Sequence, residues 1–83
     1  MADLVRSSQA IGNALRNARK RRRLKQSQLS AASGIRQATI SEIERGVGDP
    51  KLDTIFALLS ALELELTIAE RSQGDVQTLE DIF

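Results

Sequence analysis

Eighty-three residues suffice for one small domain, and the absence of Cys and His excludes disulfides, thiolate nucleophiles, imidazole bases and zinc sites built on either ligand. The net charge of +1 conceals a segregation: residues 1–25 carry eight Lys/Arg against one Asp, a net +7, whereas residues 26–83 carry four against ten, a net −6. With two Phe, no Tyr and no Trp, the core has to be built from Leu, Ile and Ala, which favours close-packed helices, and no apolar run approaches the ~20 residues of a membrane helix.

From this composition a cytoplasmic protein is expected, with no enzymatic activity, no cofactor, no metal and no catalytic residues. Residues 1–7 read as an N-terminal arm and 8–62 as the folded domain. The first helix begins with Ser7 or Ser8 as N-cap and runs to about Arg23, placing Ile11, Ala14, Leu15 and Ala18 on one face. Arg16, Lys20 and Arg23 then face elsewhere, and Arg19 to Arg23 form an unbroken run of five cations. A second helix spans Gln26 to Ser33 with Leu29 and Ala32 inward, ended by Gly34 in the left-handed region.

A third helix reads from Gln37 to Arg45, with Ile35 packing just before it, Ile40 and Ile43 inward and Gly46 as its stop. Gln37, Ala38, Ser41 and Glu42 remain on its outer face. Glu44 and Arg45 read as a structural ion pair closing that helix. Asp49-Pro50 supplies an N-cap and a first-turn proline for a fourth helix, whose buried stripe is Leu52, Ile55, Phe56, Leu59 and Leu62. At Leu62 the apolar period changes from helical to two, and 63–70 read as one strand with no partner in the chain. An unpaired strand edge is normally covered or paired, and the economical partner is the same strand of a second copy, joined through Leu64, Leu66 and Ile68. Residues 71–83 read as a flexible tail in which Phe83 is a candidate anchor on a partner.

The stretch from Leu24 to Gly46 resembles the helix-turn-helix of Xre/Cro-C1-type repressors in spacing as well as residue type. Gln26, Leu29, Gly34, Ile35, Ile40, Ser41, Ile43, Glu44, Arg45 and Gly46 all match that pattern. Within it, residues 34–41 and 62–68 look most like HipB antitoxins, the partners of HipA-type Ser/Thr kinase toxins. Two caps depart from the pattern, since Lys25 and Arg36 stand where Ser or Thr is usual.

The resemblance covers about residues 8–70. It implies an all-α, lambda-repressor-like bundle of four to five short helices, with a C-terminal β-strand pairing across a homodimer. It also implies repression of the protein's own operon and binding of a HipA-like toxin, for which Phe83, outside the resemblance, is the candidate contact. On this basis the third helix enters the major groove of double-stranded DNA at a palindromic operator, and Arg36, Gln37, Ala38 and Ser41 meet base edges. Gln26, Thr39, Arg19, Arg22, Arg23 and Lys25 are the expected phosphate contacts. For any one of those cations a solvated helix end is an equally good reading, but five in a row repel one another unless a polyanion neutralises them. The alternatives are a stand-alone repressor of phage or restriction-control type, and an adaptor that kept the fold without binding DNA.

Overall fold

The computed structural model describes residues 4–71, within which four helices follow one another: α1 (Ser8–Arg21), α2 (Gln26–Ser33), α3 (Gln37–Glu44) and α4 (Leu52–Ala61). The Oγ of Ser7 caps α1 by accepting the Ala10 N–H at 3.0 Å, satisfying one of the donors that a helix start leaves orphaned. α1 closes at Arg21, with Arg23 left-handed at φ 57°. The Arg23 N–H donates to the Lys20 carbonyl at 2.9 Å and the Leu24 N–H to that of Arg19 at 3.1 Å, a reversal that tucks Leu24 against the core.

Gly34 makes the turn between α2 and α3 at φ 77°, where a Cβ would be strained. Two serines clamp this turn: Ser30 Oγ donates to the Ile35 carbonyl at 2.6 Å, and Ser33 Oγ accepts the Ile35 N–H at 3.1 Å. These bonds set the rotation of α2. The inward arc runs through residues 29, 33 and 30, so Ala32, expected inside, faces solvent.

α1 packs against α3, and α2 packs against both α3 and α4. Leu15, Ala18, Leu29, Ile40, Ile43, Ile55, Leu58, Leu59 and Leu62 form the buried core. Each large member contributes roughly 1.5–3 kcal/mol of transfer free energy. Gly12 permits the close approach of α1 to α3, because a Cβ at that position would run into the Ile43 carbonyl oxygen. A mid-helix glycine ordinarily weakens a helix by about 1 kcal/mol relative to alanine. Here that cost is offset by the proximity it allows.

α4 departs from the sequence expectation in two respects. It begins at Leu52 with Lys51 as N-cap, three residues after Asp49, because Lys51 is itself extended. Its buried stripe is Ile55, Leu58, Leu59 and Leu62, while Leu52 and Phe56 are 61% and 44% exposed. α4 is apolar around most of its circumference, so the spacing alone did not single out the stripe that faces the core.

No strand forms at 63–70 among the described residues. α4 ends through Glu63, left-handed at φ 58°, and residues 64–71 have no regular structure. A ladder requires a second strand, which the single chain does not supply. Leu64 is half-buried against the core, whereas Leu66 and Ile68 are 54% and 92% exposed. The expected tail from residue 72 onward, Phe83 included, lies outside the described residues.

Candidate nucleic-acid interface

The eight residues of α3 rise about 12 Å, and their outer face is polar. Arg36, Gln37 and Ala38, at its N-terminal end, are exposed, as is Glu42 one turn further on; Ser41 and Thr39 are half-buried. The inward face is Ile40 and Ile43, which bury against the core and fix the helix in rotation. No side chain caps α3, because Arg36 occupies the cap position and has no acceptor to offer. Arg36 is therefore presented outward at the point where the base-facing residues begin. The helix closes with the Arg45 Nε donating to the Ser41 carbonyl at 3.3 Å.

The basic run divides into two kinds of residue. Lys20, Arg21, Arg22, Arg23 and Lys25 are exposed. Arg19, expected among the phosphate contacts, is instead buried with 8% exposure. Its Nε and Nη2 donate to the two carboxylate oxygens of Glu44 at 2.7 and 2.9 Å, and its Nη1 donates to the Leu24 carbonyl at 2.7 Å. With a bond from each of its three nitrogens directed inside the protein and the side chain buried, Arg19 is turned to the core rather than to DNA. The physical reason lies on its face of α1: it follows Leu15 by four residues, on the side that meets α3.

This pairing also corrects the expected Glu44–Arg45 bridge, since Glu44 looks inward to Arg19 and Arg45 turns back on its own helix. Burial alone would raise the Glu44 carboxyl, but hydrogen bonds from Arg19 and Gln26, with the positive charges of Arg19 and Arg16, outweigh it and hold the group below its ordinary value. The bond to Glu44 raises the Arg19 guanidinium further, against its own desolvation.

Gln26, the first residue of α2, is half-buried, and its Nε2 donates to Glu44 Oε1 at 3.1 Å. Behind it, the Lys25 N–H donates to Gln28 Oε1 at 2.8 Å. That is half of a capping box, and lysine has no acceptor with which to complete the other half. The end of α1, the start of α2 and the end of α3 are thus pinned together around one buried carboxylate.

The exposed cations 20–25 are carried on this pinned corner. Arg22 also meets Glu63 at 3.5 Å, an exposed pair of small energetic weight. Ser30, Ser33 and Gly12 escaped the sequence reading; a serine on each side of a turn glycine is the local signal that marks the first two. No cluster of three or more metal-ligating side chains occurs among the described residues, and none of their helices is long and apolar enough to cross a membrane.

The helix-turn-helix family model, HTH_3, matches residues 15–68. An uncharacterized HTH-type transcriptional regulator of Sinorhizobium fredii is 41% identical over 61 residues, which are 74% of this chain but 31% of that protein; the chain spans under a third of it. Antitoxin HipB of Escherichia coli K12 is 32% identical over 76 residues, 92% of this chain and 86% of HipB. A solved HipA–HipB–O2–O3 complex contains a chain that superposes with a TM-score of 0.78 at 32% identity, covering 86% of this chain and all of that one. With a turn glycine, an outward-facing α3 and a family match across most of the domain, the chain belongs to the helix-turn-helix family of DNA-binding transcriptional regulators and is similar to HipB antitoxins.

Proposed function

We propose that this protein is an antitoxin that represses its own operon as a dimer on a palindromic operator and binds a HipA-like Ser/Thr kinase toxin. The observation that carries the DNA half of this reading is the exposed start of α3, at Arg36, Gln37 and Ala38, its register fixed by Ile40 and Ile43, in a domain whose first 25 residues carry a net +7. In this reading Arg36 and Gln37 reach guanine and adenine edges, Ala38 meets a thymine methyl and Ser41 tolerates several bases. Thr39, Gln26, Arg22, Arg23 and Lys25 contact phosphates and set the register.

The dimer in this proposal forms when segment 63–70 pairs with its copy and becomes the strand it is not in a single chain. Support comes from Leu66 and Ile68, exposed beside an open groove whose lining includes Leu4, Val5, Ile11, Leu59 and Leu64. Pairing covers both the apolar side chains and the backbone edge. The toxin half rests on the similarity to HipB over 92% of the chain and on the solved assembly of HipB with HipA.

The test is to co-purify the protein with the product of its adjacent gene and to titrate the DNA upstream of its own gene across a salt series. A stable complex, with steeply salt-dependent binding weakened about tenfold by Gln37→Ala, supports the proposal. DNA binding with no captured partner leaves a stand-alone repressor. No binding at low salt sinks the DNA reading altogether.

A further inference from the structure

We infer that Glu44 is a positioning residue for DNA binding: held rigid by Arg19, it orients the Gln26 amide so that an N–H, rather than the carbonyl oxygen, is offered to a backbone phosphate at the start of α2. The inference rests on the DNA-binding reading above and goes beyond it, because Glu44 touches no DNA in that reading. A glutamine amide carries an acceptor oxygen and a donor nitrogen of nearly equal size, and on an exposed helix start it turns freely between them. Only the nitrogen suits a phosphate.

The carboxylate of Glu44 is an acceptor alone, so it admits the Nε2 side of Gln26, at 3.1 Å, and repels the Oε1 side. One hydrogen of Nε2 is spent on Glu44, and the second diverges from it in the plane of the amide, away from the carboxylate. A carboxylate orients a neighbour only if it does not itself move. Glu44 is 6% exposed, and Arg19 grips both of its oxygens, at 2.7 and 2.9 Å. Arg19 is anchored in turn to the Leu24 carbonyl, in the chain that leads directly into α2.

The pairing with Arg19 also answers an electrostatic objection. A bare carboxylate one amide away from a phosphate would repel the DNA, and the buried guanidinium cancels that charge at the shortest available distance. Arg19 therefore serves binding from inside the protein, although it contacts no phosphate.

The test is a thermodynamic cycle on the duplex upstream of the protein's own gene, preceded by NMR of the free protein. In the free wild-type protein the Gln26 side-chain NH2 pair is expected to be shifted from the other glutamine amides, and to return to their position in Arg19→Met/Glu44→Leu, where no acceptor remains. An unshifted Gln26 pair in the wild type overturns the inference without any DNA and without relying on a variant that has to fold. On the duplex, Arg19→Met/Glu44→Leu and Gln26→Ala are each expected to weaken binding about tenfold, the loss of one well-aligned hydrogen bond to a charged group. The triple variant is expected to bind no more weakly than Gln26→Ala alone. A further tenfold loss in the triple variant shows that the pair acts independently of Gln26 and overturns the inference while the DNA reading stands. Failure of the wild type to bind at low salt overturns both.

Discussion

α1 and α4 leave their last turns by the same backbone reversal, each with a non-glycine residue in the left-handed region, Arg23 and Glu63, followed by a leucine tucked against the core. What comes next differs. After Leu24 the chain re-enters a helix, and the corner it makes is completed from within by the Arg19–Glu44–Gln26 network. After Leu64 the chain runs on without regular structure, and Leu66 and Ile68 stay largely exposed. A local helix stop therefore does not decide whether a surface is finished. Groups elsewhere in the fold decide that, by supplying a complement at the first corner and none at the second.

Leaving the first corner uncompensated should cost the most. Arg19→Ala strands a buried carboxylate and is expected to cost about 3–5 kcal/mol in denaturant unfolding. Replacing both partners, in Arg19→Met/Glu44→Leu, is expected to recover most of that loss, because an apolar pair of similar volume avoids the desolvation of two charges. If the double variant is as unstable as the single one, the corner is held by something other than the ion pair.

Gly12→Ala is next in size. It sets a methyl group against the Ile43 carbonyl and forces α1 away from α3, with an expected loss of about 1–3 kcal/mol despite the better helix propensity of alanine. A neutral result in thermal unfolding would mean that α1 shifts on α3 without cost.

The acid side tests the same corner through Glu44. The folded carboxyl is held below its ordinary value of 4.5, so its contribution is complete above that pH and is lost as the pH falls through the lowered folded value. The stability gap between the wild type and Arg19→Met/Glu44→Leu is therefore expected to move in favour of the variant as acid is added below the ordinary carboxylate value. A gap that does not change with pH would show that the Glu44 carboxyl ionises equally readily folded and unfolded, so that the corner does not favour its charged form.

Arg23→Gly relieves a left-handed arginine and is expected to stabilise the chain by about 0.5–1 kcal/mol. If Arg23 contacts a phosphate, the same variant lowers the salt slope of DNA binding by about one unit. The smallest effect on the single chain belongs to the second corner. Ile68→Asp is expected to change the unfolding free energy by under about 0.5 kcal/mol, because the side chain is already 92% exposed. Sedimentation equilibrium should nevertheless show weakened self-association, and an unchanged dimer would move the interface away from segment 63–70.

Sequence reading went furthest where the decisive interactions are short-range. The limits of α2, and those of α3 to within a residue, follow from apolar spacing, from Gly34 and from the residues on either side of it. The exposure of Arg36, Gln37 and Ala38 follows once Ile40 and Ile43 are placed inside. α4 was legible as a helix but not in its rotation, since an almost wholly apolar cylinder offers several equivalent stripes.

Helical spacing from Leu15 places Arg19 on the face of α1 that meets α3, but nothing local shows that a cation on that face is buried. Arg19 stands in a run of five cations, and its carboxylate partner lies 25 residues away in the chain. Gln26 carried its helix-start role openly, yet the acceptor that orients it is 18 residues distant. The four helices and the turn between α2 and α3 are legible in the residues alone, because capping, glycine geometry and helical period act over a few positions. Which cation is buried, which glutamine atom is held and which apolar residues are left exposed depend instead on charges and surfaces that meet when the helices pack.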